Sequence, residues 1–203
     1  MEKTDAAIGL RARWALPWIF FLMGVVSMAW VPRIPEIKAT LGLSDGEFGV
    51  VLVSSSVGAV IGAQLAGRLI QRFGSRNLMR FAQTTLPLGV LLMGLAPNVY
   101  VLALGLFFMG LGSAAMDIPG NAQAVVIERL IGKKFLASLH GAWSIGTFAA
   151  LPSPKKNKST KPVDGSKSTP TEVAPVLLTA IQVAMKLCVD YDFVSRSNIE
   201  SHQ

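Results

Sequence analysis

The sequence predicts an all-α membrane protein, and three observations carry that prediction. Four long apolar stretches, at about 14–31, 48–66, 78–96 and 99–123, each match the thickness of a bilayer. A helix needs about 20 mostly apolar residues to cross a hydrocarbon core of roughly 30 Å. The composition is 51% hydrophobic and 15% charged with a mean hydropathy of +0.49, a membrane-type balance. Positive charge, finally, collects in short segments on one side of the apolar runs.

The first element follows a basic flank, residues 1–13, that carries Lys3, Arg11 and Arg13. A cleaved signal peptide has a short apolar core and a small-residue cleavage site. Here the run from Trp14 is long and breaks at Val31-Pro32-Arg33-Ile34-Pro35, so it reads as an uncleaved first span. The second span is introduced by Ser44-Asp45-Gly46-Glu47, a capping-box pattern. Arg68, Arg72, Arg76 and Arg80 lie around the turn into the third span. Pro97-Asn98 turns into the fourth, and Arg129, Lys133 and Lys134 follow that one. The opposite side has Arg33 and Lys38, offset by Glu36, Asp45 and Glu47. The positive-inside rule therefore predicts a cytoplasmic N-terminus, an outer first loop and an inner arginine-rich turn. Trp14, Trp18, Trp30 and Tyr100 fall near predicted span ends, where amphipathic rings favour the interface.

A fifth apolar run, 135–151, is at the lower limit of length for crossing. If it crosses, the lysines at 155, 156, 158, 161 and 167 land outside, against the charge rule. Every glycine but Gly165 precedes residue 151, and the text then becomes PSPKKNKSTKPVDGSKSTPTEV. The expectation is an interrupted membrane bundle, 14–151, joined to an unrelated-looking polar tail, 152–203. That tail holds one amphipathic helix at about 175–190, with Thr179, Gln182, Lys186 and Asp190 as its polar stripe.

Several function classes are excluded by composition. The 19 Lys+Arg against 12 Asp+Glu follow membrane topology, so no nucleic-acid partner is expected. A single cysteine, Cys188, rules out an intrachain disulfide or a multi-cysteine metal site. There is no P-loop and no nucleophile elbow, and the glycines lie inside apolar helices. No catalytic residue, metal or cofactor is predicted, and the chain does not read as an enzyme.

The turn 67–76 reads GRLIQRFGSR. It resembles the signature G-x-x-x-D-(R/K)-x-G-(R/K)-(R/K) that joins helices 2 and 3 in the major facilitator superfamily. Gly67, Arg72, Gly74 and Arg76 match; Gln71 stands where the aspartate is usual, and Ser75 replaces a basic residue. Gly110-Leu111-Gly112-Ser113-Ala114-Ala115 resembles the small-residue stretch of the family's helix 4, though Leu106 replaces its arginine. The resemblance implies the N-terminal helix bundle of that fold, with four clear spans and a partial fifth. It also implies that 67–76 biases inward- against outward-facing states.

Asp117 is charged within an apolar window, which costs about 2.5–3.5 kcal/mol at mid-helix on insertion scales. Asn121 follows on the same helical face and Gln123 close behind. This D-x-x-x-N pair resembles the fucose-permease-like branch of sugar–proton symporters. The resemblance implies a proton-coupling role for Asp117 and sugar-hydroxyl contacts for Asn121 and Gln123. The alternative is an interfacial Asp117, solvated or paired with Arg72 or Arg76. His140 could titrate near neutral pH and Trp143 could stack on a sugar, or each could be structural. Glu128 and Arg129 read as an interfacial ion pair. The expected partners are the lipid bilayer, a small solute, protons, and a second half or second copy. The resemblance implies secondary active transport of a small hydrophilic solute, with a non-transporting membrane interaction protein or a truncated gene product as the alternative. The expected location is a bacterial inner (plasma) membrane.

Overall fold

A computed structural model describes residues 2–151, all of whose regular elements are helical. The polar tail and its expected helix at 175–190 lie outside the described residues. The order is α1 (Glu2–Met28), a 3-10 turn (Val31–Arg33), α2 (Ile34–Leu41), α3 (Asp45–Gly94), α4 (Val99–Ile131) and α5 (Leu136–Ala149).

Sequence chemistry explains the ends. Ser44 caps α3: its Oγ accepts from the Glu47 N–H at 3.3 Å, while the Glu47 carboxylate accepts from the Ser44 N–H at 2.9 Å. Asn98 caps α4 by accepting from the Val101 N–H at 3.0 Å. Gly42 and Gly132, both at φ +64°, close α2 and α4 in the left-handed region. Pro32 and Pro35 break the first apolar run as expected. Each then sits in the opening turn of a new short helix, where a missing N–H costs nothing. The expected outer loop therefore contains α2.

The arginine-rich turn is a bend and not a loop. Helical assignment runs unbroken through α3 except at Gly74, whose φ of 79° and ψ of 155° lie in a region almost reserved for glycine. One residue divides α3 into two helices that both pack on α4. Gly58 meets Phe107 and Leu111, and Gly62 meets Leu111 and Ala114. The numbers rise together, so the first half of α3 runs parallel to α4. After the bend Gly89 meets Gly105 and Met109, and Leu86 meets Gly112, so that half runs antiparallel.

Glycine sets the spacing of these contacts. A Cβ on Gly62 would lie 2.7 Å from the Leu111 carbonyl oxygen, and one on Gly112 would lie 2.7 Å from the Leu86 nitrogen. Between membrane helices the lipid is as apolar as the side chains, so close van der Waals approach replaces the hydrophobic drive. Gly110 faces the first half of α3 and Gly112 the second, which puts α4 at the centre of the bundle. Helices α1 and α5 pack closely on each other, Gly24 lying against Trp143 and Thr147, and Gly146 against Phe21.

Three segments are long and apolar enough to cross a membrane by length and composition: Leu16–Leu41, Asp45–Ser75 and Val99–Arg129. The helix after Gly74, expected as a fourth crossing, carries Arg80, Gln83, Thr84 and Thr85, which lower its apolar character. With 14 residues, α5 is roughly 21 Å long, short of the hydrocarbon thickness. The first half of α3 turns Val50, Val53, Val57, Val60 and Leu65 outward, an apolar face suited to lipid or to a partner.

Candidate functional site

Asp117, Asn121 and His140 lie around Phe20, where α1, α4 and α5 meet. Helix α4 continues well past the expected end at 123, so Asp117 stands near its middle. At about 1.5 Å per residue it lies roughly 27 Å from the first residue and roughly 21 Å from the last. Its side chain is half-buried and has no hydrogen-bond or ion-pair partner among the described residues. The expected alternative of a pair with Arg72 does not form. Arg72 is exposed and lies over the neighbouring Phe73 ring, 5.4 Å from its centroid. The side chain of Arg76 lies outside the described residues.

Asn121, one turn on, is half-buried, and its Oδ1 is sealed from solvent without a hydrogen-bond partner. Gly120 and Ala124 complete this face of α4, both buried. A Cβ on Gly120 would lie 2.8 Å from the Phe20 ring, so the glycine admits that ring from α1. On its other side Phe20 meets His140 of α5 edge-on, centroids 6.2 Å apart at 80°. Phe20 thus links the Asp117–Asn121 face to His140, a role sequence reading missed. Its only sequence signal was an aromatic in a run of apolar residues.

Two expected members sit elsewhere. Gln123 is half-buried but lies roughly 160° around the helix from Asn121, because two residues turn an α-helix by about 200°. Trp143 presents its backbone carbonyl to Gly24, which makes it part of the α1–α5 packing, with its ring partly exposed. At the bend, Gly67 and Gln71 are exposed, and Gly74 supplies the geometry.

Glu128 differs from expectation. Its carboxylate accepts from the Phe135 N–H at 2.6 Å and the Leu136 N–H at 3.1 Å and makes no pair with Arg129. The first N–H groups of a helix have no partner within it, and Phe135 offers no capping side chain, so a carboxylate from α4 caps α5. Among the described residues no group of three or more His, Cys, Asp or Glu could hold a metal ion.

The family model described as Major Facilitator Superfamily matches residues 16–152. The chain belongs to the major facilitator superfamily. This facilitator chain is 30% identical over 127 residues, 63% of its length and 34% of the relative's, to an uncharacterized transporter of Sinorhizobium fredii. It is 32% identical over 137 residues to the membrane protein MosC of Rhizobium meliloti, covering 68% of the chain and 34% of that relative. It is 28% identical over 115 residues to the sialic acid transporter NanX of Escherichia coli, covering 56% of the chain and 28% of that protein. The chain thus spans about a third of the length of these relatives. No solved structure matches. Family and apolar helices together make it a multi-pass membrane protein.

Proposed function

We propose that this chain forms one helix bundle of a secondary active transporter that moves a small hydrophilic solute, a sugar or polyol, together with protons. The observation that carries the reading is Asp117, an uncommitted carboxylate near the middle of α4 and one turn from the unpartnered Asn121 Oδ1. A carboxylate within an apolar span is costly, so a functional reason for it is expected. As Asp117 takes up a proton, a bound solute hydroxyl would satisfy Asn121 in the same step, linking solute and proton. His140, held against Phe20, is the nearest titratable group on α5 and belongs to the same proposal. The relative named for sialic acid supports a hydrophilic solute.

Transporters of this kind place the site between two bundles that rock against each other. This chain holds one side of that cavity, and a complementary half or a second copy supplies the other. The N-terminus and the Gly74 bend face the cytoplasm of a cell whose plasma (inner) membrane holds the protein. A chain with Cys188→Ser and Arg72→Cys should react with an impermeant maleimide only after the membrane is opened; labelling of intact cells contradicts the orientation.

Proteoliposomes test the transport reading. The chain reconstituted with the C-terminal half of the Sinorhizobium fredii relative should accumulate at least one of labelled N-acetylneuraminic acid, mannitol or L-fucose under an inward proton gradient. The chain alone as a monomer should accumulate none. Uptake by the monomer contradicts the shared cavity. No uptake by the pair favours the second reading, a membrane interaction protein.

A further inference from the structure

Gln83 lies on α3 after the Gly74 bend. It is 5% exposed, and neither its Nε2 nor its Oε1 has a hydrogen-bond partner. The adjacent threonines satisfy themselves. Thr84 Oγ1 donates to the Phe81 carbonyl at 2.9 Å, and Thr85 Oγ1 donates to the same carbonyl at 2.7 Å. Gln83 instead lines a cavity of about 20 Å³ between α1, α3 and α4, whose other walls are apolar, among them Ile19, Met23, Leu86 and Met116. Pro87 lines it as well. Four residues beyond Gln83, this proline has no N–H with which to make the helical bond to the Gln83 carbonyl. One residue therefore offers amide donors, a side-chain acceptor and a carbonyl deprived of its usual donor. An unsatisfied amide in apolar surroundings is unfavourable, and an occupant that both donates and accepts removes the penalty.

We propose that this cavity binds a single hydroxyl-sized group, an O–H that accepts from Gln83 Nε2 and donates to Oε1 or to the backbone carbonyl. Volume sets the size. Roughly 10–15 Å³ admits one water, so about 20 Å³ holds one such group beside the amide, in a cavity partly open to the surface. The O–H comes either from a resident water or from one hydroxyl of the solute; the second source rests on the transporter reading and the first does not. Met116 precedes Asp117 directly, so the site adjoins the carboxylate-bearing turn of α4.

Proton-detected solid-state NMR of the whole chain in lipid bilayers, isotopically labelled at glutamine nitrogen, tests the site. The Gln83 amide signal is assigned by its loss in Gln83→Met, a swap of similar volume. A cross-peak from the Nε2 protons to water, unchanged by added mannitol, supports the site and assigns the O–H to water. Replacement of that peak by one to mannitol protons supports the site and assigns the O–H to solute. Absence of both, with the amide signal visible in each sample, overturns the proposal whether or not the chain takes part in transport.

Discussion

Glu128 ties two helices with one carboxylate, accepting from the backbone N–H groups of Phe135 and Leu136 across the turn at Gly132. In Glu128→Ala those amides lose their acceptor, and hydrogen exchange at Phe135 and Leu136 should quicken, with Glu128→Gln in between. Unchanged exchange at both would mean that α5 holds its own first turn. At this scale the sequence was only partly legible. Asp117 and Asn121 could be paired because four residues is one helical turn, and α4 keeps them on one face. Gln123 was grouped with them by nearness in the text, which helical geometry does not respect. Gln83 went unread because its position four residues before Pro87 matters only once α1 and α4 close around it. The Glu128 contact was hidden too, since it depends on how α5 folds back after Gly132.

Elements were read more easily, because apolar run length and cap chemistry are local. Ser44 with Glu47, and Asn98, mark the starts of α3 and α4 in sequence and structure alike. The joint around Gly74 was less legible. A glycine-and-arginine text suits a loop, yet a single residue in a glycine-only conformation turns the chain and leaves helix on both sides. Likewise Pro32 and Pro35 announce a break without announcing that each begins a new helix. Close helix approach gives a direct test. An added methyl at Gly112 meets Leu86 backbone, which cannot swing aside. Gly112→Ala should therefore destabilise the bundle by about 1–3 kcal/mol in detergent unfolding. Gly141→Ala meets nothing within 4 Å and should be neutral or stabilising by up to about 1 kcal/mol through helix propensity. Equal effects at the two sites would show that α4 is not held through its glycines.

For the molecule as a whole, the packing leaves the first half of α3 with an outward apolar face, while α4 is gripped on two sides and carries the carboxylate. A central helix is suited to coupling, because a change of charge on it acts on every neighbour at once. The Gly74 bend joins the two arms that hold α4. We propose Asp117 as the proton-coupling residue, and the Asn variant preserves its shape while removing the carboxylate. The most direct measurement is the pH dependence of solute uptake by the reconstituted pair, with Asp117 and with Asp117→Asn. Uptake that rises with the proton gradient for Asp117 and loses that dependence in Asp117→Asn is the predicted result; an identical pH dependence for both would contradict it.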